Sequence, residues 1–470
     1  MSSLSALNSL LSGSSSSSVD LSSILEAAFG ASSPGLDVTA AVNSAVTAAE
    51  APEQAWETQQ ATLQSQATAL TGLQTDATNL DNDIQSLNSL TGPLSARTVS
   101  SSNSNEVTAS AASGSTVGNH VVVVNSLATT ASWTSGTFAS SSTALPAGSF
   151  TITTGSGSTA TITTDGTETL SDVADQINND GLGVTASVIT DASGSRLAIL
   201  AGSSGSAANF SVDDSSTPSL GFAQAVTGTN AALSVDGISI SSASNTVSGA
   251  ISGLTLNLLS ANPGTEVSLG VSQDVSQTTS AINQFVTDYN TAITDLNTQF
   301  TYVAGTGEGP LATDSTVRNL QTSLLSALDY TYTPATGTTT VPNLSSLGIS
   351  VQNDGTLSVD SSALQSTLQN NFSDVQNFFQ GTAFNGFANS LDQQLTSFIS
   401  PSDGAFTVDL QSLNSQYTDL ETDITNFQTN YIQPLQAQLQ SEYSNAEILL
   451  QQLPTQMKQI SAELGENSSN

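Results

Sequence analysis

The sequence contains no cysteine, which leaves neither a disulfide framework nor thiol chemistry to this chain. Histidine occurs once, at His120, so a catalytic triad, a histidine-based metal site or an imidazole general base would rest on that one ring. His120 heads the apolar run His120 to Val124, where a structural place in a strand is the simpler reading. Basic residues number four (Arg97, Arg196, Arg318 and Lys458) against 39 acidic ones, for a formal net charge of −35. Phosphate backbones and anionic membrane surfaces are bound through cations, so this balance excludes nucleic acid and membrane surface as partners. Long apolar runs are also missing: no window approaches the roughly 18 residues of a membrane span. Residues 1–35 carry neither the basic start nor the apolar stretch of a cleaved signal peptide.

Charged residues make up 9% of the chain and hydrophobic ones 37%, and Ser, Thr, Asn, Gln and Ala fill the difference. Such a chain lacks the charge density of a typical disordered one. At 470 residues it should fold as several domains. The acidity reads as solubility and self-repulsion. Asp213-Asp214 and Asn353-Asp354 lack the alternating ligands of a calcium loop, and Gly155 to Gly157 sits at a turn without the Lys of a phosphate loop. No enzyme activity, cofactor or metal is expected.

What is present is periodicity. Residues 1–36 are Ser-rich and read as a flexible start. Asp37 is placed to cap a helix whose Val38, Val42 and Val46 share one face. Beyond Pro52, an expected interruption, Trp56, Leu63, Leu70, Ala77 and Ile84 recur at heptad spacing, with Leu73, Leu80 and Leu87 as a companion row. From Thr98 to Val271 the period changes to that of strands. Phe150 to Thr154 and Ala160 to Thr164 read as a hairpin, and Asp236-Gly237 between Leu233 to Val235 and Ile238 to Ile240 as a tighter one. A short helix with Leu170, Val173, Ala174 and Ile177 on one face opens on a Thr169/Asp172 capping box, and the strands Val184 to Ile189 and Arg196 to Leu200 follow it.

Helical spacing returns at Ser276, where Ile282, Tyr289 and Leu296 run beside Val286, Ile293 and Phe300. Leu320, Leu324 and Leu328 mark a further helix, and Leu364, Leu368, Phe372, Val375 and Phe379 are expected on one more. Between these two, Asp354-Gly355 marks a hairpin within Leu347 to Val359. The last pattern pairs Leu410, Tyr417, Ile424 and Tyr431 with Leu413, Leu420 and Phe427. It changes register near Pro434 to Leu439, Ala446, Leu453 and Ile460 with Tyr443, Leu450, Met457 and Leu464, and Pro454 is expected to disturb it.

Several segments carry a resemblance, in order along the chain. They are Gly35-Leu36-Asp37-Val38, Ala48-Ala49-Glu50-Ala51-Pro52, Val122 to Ser126 with Leu127-Ala128, Tyr289-Asn290, Gly309-Pro310-Leu311, Asp314-Ser315-Thr316-Val317, Leu347-Gly348-Ile349 and Asp354-Gly355-Thr356-Leu357-Ser358-Val359-Asp360. Together they resemble the bacterial flagellar cap family, also called hook-associated protein 2. Thr169 to Ile189 with Gly194 to Leu200 resembles the small module inserted in flagellin-type proteins. One departure concerns charge: the family's terminal helices usually carry many charged residues, whereas here Gln, Asn, Ser and Thr stand in their place, so ion pairs cannot set register.

The resemblance implies a multidomain α+β fold, with coiled-coil terminal helices and a helical domain carrying two nested β-rich inserted domains. The expected divisions are a flexible segment 1–36, a leg helix with the first part of the helical domain 37–97, an inner β domain 98–133 and 226–271, an outer β domain 134–225, a second helical part 272–400 and a C-terminal leg 401–470. It further implies export by the flagellar type III apparatus without a cleaved signal, an extracellular place at the filament tip, and an annular homo-oligomer that promotes flagellin polymerisation. Flagellin, hook–filament junction proteins and a cytoplasmic export chaperone are the implied partners. Val38, Val42, Val46, Trp56, Leu439, Leu450, Leu453, Met457, Ile460 and Leu464 are the expected pairing and assembly residues. The rival reading is an extracellular adhesin or fibre protein with a coiled-coil stalk.

Overall fold

The computed structural model describes residues 37–215, 219–305, 307–383 and 385–466. The expected segment 1–36 lies outside them, as do the side chains of Leu453, Met457 and Leu464. The α-helices are α1 Val38–Ala49, α2 Ala51–Asn88, α3 Leu170–Asn179, α4 Val275–Phe300, α5 Ser315–Ala327, α6 Ser361–Asn370, α7 Phe372–Gln380, α8 Phe387–Ile399, α9 Ala405–Phe427 and α10 Gln433–Glu466. The chain forms two compact units. One takes in the described residues up to Thr78, Ala292–Ser323 and those from Gln394 onward, and the other holds Asn79–Thr291 and Leu324–Gln393.

Heptad spacing becomes burial along α2, where Leu63, Leu70, Leu73, Ala77, Leu80, Ile84 and Leu87 are all enclosed. On α4 the enclosed positions include Ile282, Phe285, Tyr289, Ile293 and Leu296. The single helix expected through Leu364 and Phe379 is two helices. Asn371, at φ −131° and ψ 32°, ends α6 and starts α7. Asn competes for its own backbone through its side-chain amide, which makes it a poor interior helix residue. The bend allows Phe372, Val375, Phe378 and Phe379 all to be buried. Phe387 then stacks on Phe378 at 5.3 Å and meets Phe285, Tyr330 and Phe379 edge-on at 5.8 to 6.0 Å.

Strands Ile349–Val351 and Leu357–Val359 form the expected hairpin beside α4. Asn290 clamps it: its Oδ1 accepts from the Leu357 amide at 2.6 Å and its Nδ2 donates to the Leu357 carbonyl at 2.8 Å. One residue earlier, the Tyr289 hydroxyl is buried without a hydrogen-bond partner, and burial pushes its pKa above the ordinary phenol value.

The β territory holds two packed bodies. A five-stranded antiparallel sheet runs in the order Arg97–Ser101, Val267–Gln273, Gly118–Ser126, Ala231–Val235, Ile238–Ser242. Thr246–Ser248, Leu254–Leu258 and Val107–Ala111 form a three-stranded sheet that shares its core through Val107, Val122, Leu233, Leu256 and Leu269. The His120 to Val124 run alternates in exposure: Val122 and Val124 are buried, while His120 Nδ1 reaches Asp236 Oδ2 at 2.8 Å near the surface. Asp236 and Gly237 both have positive φ, 49° and 82°, as the two central residues of a primed hairpin turn. Accepted hydrogen bonds from His120 and the Val121 amide hold the Asp236 carboxyl below the ordinary value.

Leu233 pairs directly with Val124, so the chain between these strands leaves and returns at neighbouring points. It forms the second body: a sheet ordered Ala223–Val226, Ser132–Thr134, Gly194–Ala201, Val184–Asp191, and another ordered Thr159–Thr164, Gly148–Thr154, Phe210–Asp213. Helix α3 starts on the expected capping box, Thr169 with Asp172, and buries Leu170, Val173, Ala174 and Ile177. Such a cap stabilises a helix by about 1 kcal/mol, and each enclosed large apolar side chain adds roughly 1.5 to 3 kcal/mol.

Candidate assembly surface

A helix of 12 residues is marginal alone. Helix α1 begins where Asp37 accepts from the Ala40 amide at 3.0 Å and ends at Glu50, two residues before Pro52. Its stability must come from a partner. Val42 and Val46 supply one, since they form a buried cluster with Ile432, bordered by Val38, Ala49, Phe427, Leu439 and Tyr443. The contacts continue in antiparallel order along α2: the Glu53 carboxylate accepts from Gln428, Trp56 meets Phe427 edge-on at 5.4 Å and 85°, and Gln60 donates to the Tyr417 carbonyl at 3.4 Å. Glu53 is only 9% exposed and is held by a neutral amide. Apolar packing and amide hydrogen bonds therefore do here what ion pairs do in more charged helices.

The register change near Pro434 has a concrete form. Gln428–Ile432 is one stretch of π-helix, placed directly before α10. Pro434 has no amide hydrogen to give to residue 430, and a π-turn widens the backbone at the point where that bond is missing. The inserted residue also rotates the following helix by roughly 100°. Ile432 is consequently 3% exposed, whereas Tyr431, which continues the row of Leu410, Tyr417 and Ile424, is 52% exposed. Helix α10 then runs through Pro454 without a break, so the disturbance expected at that residue is not seen in the backbone.

Past Tyr443, helix α10 presents apolar side chains to solvent. Ile448, Leu449, Leu450 and Ile460 are 54%, 63%, 42% and 55% exposed. Apolar surface of this kind on a helix makes it a candidate contact surface. Of the ten expected assembly residues, Val38, Val42, Val46, Trp56 and Leu439 come together along one seam, with Val42 and Val46 fully buried. Leu450 and Ile460 do not join it. Heptad spacing picked out Phe427, in the row of Leu413 and Leu420, but missed Ile432, which stands five residues on, a π-helical interval that a search for spacings of three and four passes over. It also missed Ile448 and Leu449, which broaden the single expected stripe into a wide face.

Among the described residues no group of three or more His, Cys, Asp or Glu side chains is placed to hold a metal ion. No described helix is long and apolar enough to cross a membrane.

Comparison with known proteins places this architecture. Residues 34–131 match the flagellar hook-associated protein 2 N-terminus, residues 228–455 match the flagellar hook-associated protein 2 C-terminus, and residues 149–203 match the flagellin hook IN motif. The B-type flagellar hook-associated protein 2 of Pseudomonas aeruginosa is 32% identical over 319 residues, which are 61% of this chain and 66% of that protein. The A-type protein of the same species is 28% identical over 77% of this chain and 82% of its own length. Among solved structures, the D1-D2-D3 domains of the flagellar cap protein FliD from Escherichia coli superpose with a TM-score of 0.59 at 27% identity, over 74% of this chain and 99% of that one.

Proposed function

Because the chain belongs to the flagellar hook-associated protein 2 family, we propose that it is a structural protein that caps the distal end of the flagellar filament and promotes flagellin polymerisation there. The observation that carries this reading is the order of the matches: both ends of the family are present, and the flagellin-type module lies between them. The adhesin reading has no such support.

In this reading the cap is an oligomer of identical chains outside the cell, reached by export through the flagellar type III apparatus with the help of a cytoplasmic chaperone. The helical part, 37–97 with 272–400, carries the nested β domains, 98–133 with 226–271 and 134–225, and the segment 401–470 is a leg. The seam of Val42, Val46 and Ile432 holds the two terminal regions together. The face of Ile448, Leu449, Leu450 and Ile460 meets neighbouring cap subunits, flagellin or the hook–filament junction proteins. Subunits are admitted and placed by differences in binding between successive arrangements of the cap, with no covalent step.

Gold-labelled antibody against the β bodies tests the location. Electron microscopy of intact filaments should show label at the distal tip only. Label spread along the shaft or over the cell surface would contradict the reading.

A further inference from the structure

Helix α2 carries Asp81 and Asp83 on either flank of its buried Leu80, Ile84 and Leu87. Each faces another carboxyl on a different helix: Asp81 meets Asp392 of α8, and Asp83 meets Asp288 of α4. Asp81 is only 5% exposed. The amide of Gln85 spans the first pair, donating to Asp81 Oδ2 at 2.7 Å and to Asp392 Oδ1 at 3.0 Å. Gln284 donates to Asp288 at 3.1 Å in the second. Asp81 Oδ1 and Asp83 Oδ2 remain buried with no N–H or O–H group to bond.

Among the described residues no cation relieves either pair. The one basic side chain within 4 Å of a carboxylate among the described residues is His120, hydrogen-bonded to Asp236. Arg97 donates to the Ser115 and Ala96 carbonyls, Arg318 lies over the Phe300 ring, and Arg196 stands on an exposed strand position. Two adjacent carboxyls without a cation are satisfied when one of them is protonated, because that proton supplies the missing donor and removes the repulsion.

We propose that these two pairs form a proton-operated clamp, in which one proton held in each pair ties α2 to α8 on one side and to α4 on the other, and loss of those protons loosens the junction. Burial first, then the neighbouring carboxyl, raises Asp81 from 3.8 to about 7, and burial with Asp288 raises Asp83 to about the same value. The folded chain therefore binds more protons than the unfolded chain between these limits. The stability that these two pairs contribute is fully present below about pH 4, falls as pH rises to about 7, and is gone above that.

The experiment compares the full chain with Asp81→Asn/Asp83→Asn and with Asp175→Asn/Asp180→Asn, which removes two exposed carboxylates of the α3 region instead. Acid–base titration of the folded proteins from pH 5 to 8 should show the parent releasing about two more protons per chain than Asp81→Asn/Asp83→Asn. The control should match the parent. Over the same range the melting temperature of the parent should fall by several degrees, and the slope should drop at least twofold in Asp81→Asn/Asp83→Asn, whose amides imitate permanently protonated carboxyls. Should that variant fail to fold, Asp288→Asn and Asp392→Asn address the same pairs from the other side. Equal proton release by parent and variant would overturn the proposal, and so would unequal release with identical melting slopes.

Discussion

A chain carrying both Leu450→Asp and Ile460→Asp is expected to fold as the parent does and to fail to assemble. Both side chains are exposed on α10 in the single chain. Replacing them removes little intramolecular packing, and the unfolding free energy should change by less than about 1 kcal/mol. In an assembly that covers this face, each aspartate becomes a carboxylate taken out of water without a partner, at several kcal/mol. The association constant should fall by roughly 100-fold or more per site. Urea unfolding reads the first effect, and sedimentation of the purified chains together with a flagellin-polymerisation assay reads the second. Leu450→Met/Ile460→Met, which keeps the surface apolar, should behave as the parent. Unchanged assembly of the aspartate variant would mean that this face is not an assembly surface.

Phe387→Ala should have the opposite profile, with loss of fold stability in advance of any effect on contacts. Phe387 is 1% exposed and touches four other aromatic rings, one stacked and three edge-on. Truncation removes its transfer free energy and leaves a cavity between helices that cannot close fully, and such changes cost about 3 to 5 kcal/mol. The midpoint of urea unfolding, followed by far-ultraviolet circular dichroism, should move down for the helical part of the signal. A loss below about 1 kcal/mol would mean that the aromatic cluster relaxes around the gap.

Where a local rule carries a complete physical cause, the fold could be read from the sequence. Asp236-Gly237 had to be a tight primed turn because both residues tolerate positive φ, and the strands on either side pair as that turn requires. Thr169 and Asp172 cap α3 reciprocally, and the heptad rows from Leu63 to Leu87 and from Ile282 to Leu296 are buried as their spacing demands. What could not be read depends on choices between near-equal alternatives. Asn371 stands in an apolar stripe that would also suit an unbroken helix, and the break is decided by four residues of α7 gaining burial. Proline at 434 announced a change of register but not its form, which the backbone settles with a π-turn.

The candidate surface divides in the same way. Val38, Val42 and Val46 were visible because they stand four apart behind a capping Asp, and Phe427 because it ends the row of Leu413 and Leu420, whereas Ile432, their neighbour in space, is set by the π-turn and carries no spacing signal. With four basic residues in the chain, no charge pattern indicated which apolar row meets which. Asp81 and Asp83 fall in no motif of the sequence. Two residues apart on a helix, they point to opposite flanks, and only the third dimension shows that each flank meets another carboxyl.

The claim that the chain caps the filament is tested most directly by deleting its gene and measuring flagellin. Cells without it should lack long filaments and release flagellin monomer into the medium, and a copy of the parent gene should restore filaments. Filaments of normal length in the deletion strain, with only attachment to surfaces lost, would contradict the account.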